Sequence, residues 1–136
     1  MRVDVAADPL VSVVIPMYQA EAWILDTLES VAAQTYPEVE TIVVDDGSSD
    51  SGSDLVSAFA ESAERPVYLV RTANQGVAAA RNLGIAESNG VYVALLDADD
   101  LWHPEKLELQ VARLQGSGSP MCTCGYEFFD DRTRRR

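Results

Sequence analysis

The chain has 136 residues and a formal charge of −12, with Lys106 its single lysine. That length suits about one domain, which can bury roughly two-thirds of the surface exposed by its unfolded chain. The charge excludes general nucleic-acid binding, because a phosphate backbone is held by clustered Lys and Arg.

The first ten residues lack the apolar centre of a signal peptide. Residues 11–15 read as a first strand and 22–34 as a helix, with Ile24, Leu28 and Val31 at helical spacing. Residues 41–44 form the second strand. The helix after it puts Leu55, Val56, Phe59, Ala60 and Ala63 on one face, with Ser53 the expected cap. Residues 67–70 make the third strand and 77–88 the third helix. The continuous apolar run 91–96 reads as a fourth strand buried on both faces. A helix then opens near Pro104 and carries Leu107, Val111 and Leu114. The Gly116-Ser117-Gly118-Ser119-Pro120 loop breaks it, and 121–129 reads as a fifth strand. This alternation specifies a three-layer α/β/α, Rossmann-like fold, with a mainly parallel sheet and right-handed crossovers. No internal repeat interrupts it.

Two of these strands run straight into acids. Asp97, Asp99 and Asp100 follow the fourth, and Asp45 and Asp46 follow the second, ahead of a Gly47-Ser48-Ser49-Asp50 turn. Parallel strands deliver their carboxyl ends to one edge, where open α/β sheets bind ligands. Crowded carboxylates repel one another unless a cation sits among them, and hard ions such as Mg²⁺ or Mn²⁺ favour oxygen ligands. A metal site at a strand end is the first expectation. The plainer alternative, that acids here only start turns and cap helices, applies best to Asp50, Asp54 and Asp100.

Other acidic α/β sites fit less well. A response-regulator receiver needs its acidic pair after the first strand and a lysine at the end of the last, whereas Lys106 lies on a helix. A haloacid-dehalogenase-like phosphatase also carries Asp-x-Asp, one Asp attacking phosphorus. There the motif lies near the domain start, so it stands as a remote alternative. Leu101 and the missing central glycine exclude an EF-hand, and neither common glycine-rich phosphate loop occurs. Cys122 and Cys124 fall on one face of a strand-like segment and read as reduced thiols rather than a zinc site. His103 reads as a surface residue. Arg132, Arg134, Arg135 and Arg136 read as a solvated chain end, with contact to an anionic membrane the lesser alternative. No stretch reaches the roughly 20 apolar residues of a membrane span. A cytoplasmic protein is expected, with peripheral attachment to the inner face of the membrane as the variant.

The order of four motifs goes further. Ser12-Val13-Val14-Ile15-Pro16-Met17-Tyr18 is followed by Val43-Val44-Asp45-Asp46-Gly47-Ser48-Ser49-Asp50. Then come Asn74-Gln75-Gly76 through Ala80-Arg81-Asn82, and Leu96-Asp97-Ala98-Asp99-Asp100 with Pro104 after it. Together they resemble the amino-terminal half of the family-two glycosyltransferases, over residues 10–129. The resemblance implies the A-type glycosyltransferase fold and a nucleotide-diphosphate sugar donor, UDP-linked in the first instance. It also implies a divalent metal, Mn²⁺ or Mg²⁺, and sugar transfer to an acceptor hydroxyl with inversion, of the kind used in cell-envelope polysaccharide synthesis. The acceptor, whether glycan, lipid-linked sugar or protein, is left open. By the same resemblance Pro16 and Tyr18 flank the nucleotide base, Asp46 accepts a hydrogen bond from the base imide, and Asp45 supports that turn. Asn74 and Gly76 belong to a loop that closes over the nucleotide. Asp97 lies near the ribose or a buried Arg81, and Asp97-Ala98-Asp99 is the metal-binding element, with Asp99 the principal ligand.

Charge supports that assignment independently. An anionic diphosphate cannot approach Asp97, Asp99 and Asp100 unless a divalent cation intervenes, and the same cation would stabilise the departing diphosphate. Members of the family continue past the fifth strand into an acceptor-binding half that carries the general base. Downstream of the last helix this chain has only Glu127, Asp130 and Asp131 as acids, and no catalytic base is assigned among them. The expectation is a single donor-binding domain over 1–136, with 130–136 a flexible tail. It is either the donor half of an enzyme or a non-catalytic, nucleotide-sugar-binding remnant.

Overall fold

The computed structural model describes residues 8–129. Four strands, β1 (Val11–Met17), β2 (Val39–Asp46), β3 (Val67–Thr72) and β4 (Tyr92–Leu95), form one sheet in the order β3-β2-β1-β4. All three pairings are parallel, with Val14 of β1 opposite Ile42 on one side and Leu95 on the other. The helices are α1 (Ile24–Ala32), α2 (Gly52–Ser62), α3 (Val77–Ala86) and α4 (Lys106–Ser117).

Period-two alternation sorts the side chains into two layers. Val11, Val13, Ile15 and Met17 pack with Ile24, Leu28 and Val31 of α1, Val56 of α2, and Leu107 and Val111 of α4. On the opposite face Val14, Ile42 and Val44 meet Ala80 and Leu83 of α3. The approach of α3 is close enough to need a glycine, since a Cβ at Gly84 would sit 2.3 Å from Val14 Cγ1. The result is the three-layer α/β/α arrangement expected.

Four expectations need correction. Residues 121–129 form no strand; Met121, Tyr126 and Phe128 are exposed. Crossover handedness supplies the reason. The steps β1 to β2 to β3 run one way across the sheet with α1 and α2 on the first face, and β3 to β4 runs back with α3 on the second. Because α4 lies on the first face, a crossover of the same hand would step from β4 toward the position that β1 already fills. Cys122 and Cys124 consequently share no strand face.

The second correction concerns β4, which is covered on one face only. Val91, Val93 and Leu95 are exposed because α3 lies over β1 and β2 and does not reach the edge strand. Third, Ser53 does not cap α2. Ser51 holds the cap position without a side-chain bond, while Asp50 Oδ1 accepts from Gly52 N at 2.9 Å. The predicted break at Gly116 also falls later, as α4 runs to Ser117 and stops at Gly118 in the left-handed conformation. Among the described residues no helix is long and apolar enough to cross a membrane. Asp130, Asp131 and the terminal arginines lie outside the described residues.

Candidate functional site

The strand order reverses direction between β1 and β4, and the acids gather at the carboxyl ends around that point. Val14 O accepts from Leu96 N at 3.0 Å, so the even residues of β1 bond toward β4. Pro16 reaches past the last residue of β4, where a missing N–H breaks no ladder bond. Beyond it β1 pairs with β2 alone.

Asp46 ends β2 on the α3 face. It is 4% exposed, and its two oxygens accept from Gln75 N at 2.8 Å and Gly76 N at 3.0 Å. A strand-end carboxylate thus anchors the loop that starts α3. Gly47 makes this possible: its φ is 80°, and a Cβ there would lie 2.8 Å from Asn74 N. Gly76 has a φ of 96° with nothing near its Cβ position, so within the chain its requirement is conformational.

Asp45 is buried on the opposite face. Its Oδ1 accepts from Ser48 N at 2.9 Å, which shapes the turn, and its Oδ2 lies 3.6 Å from Arg71 Nε. Arg71 also donates through Nη2 to Ser53 Oγ, the contact that replaces the expected cap. Tyr18 follows the Met17–Asp45 pair and leaves β1 one step past it, where Asp46 ends β2. Its side chain is 55% exposed.

Asp97 lies on the α3 side of β4. Arg81 Nη2 donates to its Oδ1 at 2.7 Å. Arg81 is partly exposed rather than buried as expected, and Asp97 is half exposed, because α3 leaves β4 uncovered. Arg81 Nε is buried with no hydrogen-bond partner among the described residues, so the guanidinium grips Asp97 by one prong only. Asp99 and Asp100 follow in a turn closed by Asp100 N on Asp97 O at 3.1 Å. Among the described residues no three His, Cys, Asp or Glu side chains gather into a ready-made metal cage. The donor set at Asp97 and Asp99 is nevertheless all oxygen and solvent-facing, which suits a hard cation that keeps other ligands of its own. His103 is exposed, as expected.

Two supports escaped the sequence reading. Thr27 Oγ1 lies 2.9 Å from both Ala98 O and Asp100 O, pinning the acidic turn from α1. Its signal was a lone hydroxyl on the apolar stripe of Ile24, Leu28 and Val31. Gln19 ties the loops after β1 and β2 together, and nothing in its neighbourhood announced it. A separate apolar groove of about 430 Å³, lined by Leu28, Val31, Phe59, Ala63 and Val67 among others, lies between α1 and α2 at the far edge of the sheet. It contains none of these acids.

Residues 12–136 match the family described as glycosyl transferase family 2. TuaG of Bacillus subtilis, a glycosyltransferase assigned by name to teichuronic acid biosynthesis, is 39% identical over 118 residues, which are 87% of this chain and 47% of TuaG. Among solved structures, TarS 1-349 of S. aureus in complex with UDP-GlcNAc is 28% identical, with a TM-score of 0.75 over 80% of this chain and 32% of that one. The mannosyltransferase PcManGT of Pyrobaculum calidifontis, in complex with GDP-Man and Mn2+, is 32% identical, with a TM-score of 0.75 over 80% of this chain and 33% of its own. This chain therefore spans under half the length of each.

Proposed function

The chain belongs to glycosyl transferase family 2, and from that premise we propose that it is the donor-binding domain of a transferase using a nucleotide-diphosphate sugar. The observation that carries this reading is the meeting of Asp46, Asp97 and the start of α3 at the carboxyl edge, beside the reversal of strand order. The nucleotide sugars bound by TarS and PcManGT support it.

In this proposal the Tyr18 ring stacks on the base and Pro16 borders it. A carboxylate offers about four lone-pair sites, so Asp46 can hold Gln75 and Gly76 and still accept from a base imide. Asp45 supports the turn, and Asn74 and Gly76 close the loop over the nucleotide. Asp97 faces the ribose, oriented by Arg81. Asp99, with Asp97, would hold a divalent ion; bound there, such an ion supplies Lewis-acid stabilisation of the leaving diphosphate. The donor-binding domain spans the chain, and transfer, with inversion, goes to an acceptor hydroxyl. The name of TuaG supports a cell-envelope glycan as the acceptor class, and a cytoplasmic place follows from the same reading. Calorimetric titration with UDP and with GDP is the test. One of them should bind in Mn²⁺ and lose its binding in chelator; equal binding in chelator would contradict the role of Asp99.

A further inference from the structure

Gln19 is the only residue other than glycine with a positive φ, 51°, among the described residues. A side chain in this conformation costs about 1–2 kcal/mol, so something must hold it there. The backbone N–H of Gln19 donates to Ser48 Oγ at 3.1 Å, and Nε2 donates to Ser49 Oγ at 2.9 Å. Oε1 accepts from Ser49 N at 2.8 Å and from Asp50 N at 3.2 Å. Glu21 adds a second bridge: its N–H donates to Asp50 Oδ2 at 3.0 Å, and its Oε2 accepts from Ser51 N at 2.9 Å.

Most of these groups face solvent, where a hydrogen bond exchanged with water gains little net stability. Their effect is geometric. Gln19 adjoins Tyr18, and its contacts end on the turn that follows Asp46 and Gly47. Entry into α2 does not need this fork, because Asp50 already binds Gly52 N. We propose that Gln19 is a positioning residue: its left-handed backbone and forked carboxamide fix the Tyr18 ring beside Asp46, so that the slot for a nucleotide base exists before the ligand arrives. The inference rests on the nucleotide-binding reading above and deepens it. Ordering a loop in advance removes a cost that binding would otherwise bear.

The test is a double-mutant cycle read by titration with UDP and GDP in Mn²⁺. Gln19→Gly keeps the backbone conformation accessible and removes the fork. It should weaken the nucleotide that binds about tenfold, within the range of one base stacking contact. Gln19→Asn, tolerant of the left-handed region but too short for the fork, should do the same. In a Tyr18→Ala background each substitution should change affinity less than about twofold, because no ring remains to be positioned. Equal losses in both backgrounds would mark Gln19 as general scaffolding and overturn the inference. So would undiminished binding by both single variants. Failure of the unsubstituted chain to bind either nucleotide would instead overturn the nucleotide reading, and this inference with it.

Discussion

The one carboxylate of Asp46 has an observed task and a proposed one. It holds the loop at Gln75 and Gly76 and is proposed to read the base. Asp46→Asn separates these from mere burial, because the amide replaces one acceptor oxygen with a donor facing a backbone N–H. The variant should lose about 1–3 kcal/mol of stability, the cost of a buried polar group left unmatched, and nucleotide binding should fall with it. Urea unfolding and titration on the same sample check both; a stable variant with undiminished binding would remove Asp46 from the site. The strand-end position of Asp46 was legible because an apolar run before an acid marks a sheet rim. The pinning by Thr27 was not, since its acceptors, the carbonyls of Ala98 and Asp100, stand 71 and 73 residues away. Backbone acceptors leave no mark on composition.

At the scale of elements, the amino-terminal edge of the sheet carries its own lock. Buried Glu40 of β2 accepts from Ser12 Oγ of β1 at 2.6 Å and from Asn89 N at 2.8 Å, and Ser12 Oγ accepts from Gly90 N at 2.8 Å. One carboxylate thus joins β1, β2 and the turn into β4, the strand that delivers Asp97 and Asp99. Burial alone would raise the Glu40 pKa; the hydrogen bonds from Ser12 and Asn89 outweigh it and hold the carboxyl below its ordinary value. With the folded pKa lowered, the stability it contributes is present above the unfolded value of about 4.3 and is lost as pH falls through the folded one. Thermal melts taken from about pH 6 down to pH 3 should show a steep acid limb, and Glu40→Gln should flatten it; an unchanged limb would remove Glu40 as its source. The strands and helices were legible because period-two and helical apolar patterns differ. The pattern of 121–129 also suits a strand, but pairing depends on which face α4 occupies, and no local pattern records that. The exposure of Val91, Val93 and Leu95 was hidden for the same reason: an apolar run cannot say that its strand lies at an edge.

For the whole molecule, the arrangement concentrates acids at one edge of a chain that already carries −12, with Arg71 and Arg81 as local counter-charges. An anionic ligand approaching such an edge needs a cation at short range, since exposed charges are screened over about 10 Å in ordinary salt. The apolar groove at the opposite edge has no such requirement. The most direct measurement of the central claim is therefore where Mn²⁺ goes, read from paramagnetic broadening of assigned backbone amide signals with and without the nucleotide. With the nucleotide present, broadening should centre on Asp97, Ala98, Asp99 and Asp100 and extend to Gln75 and Gly76, leaving Phe59 and Arg65 at the far edge sharp. Broadening centred elsewhere, or the same weak and scattered pattern with and without nucleotide, would contradict it.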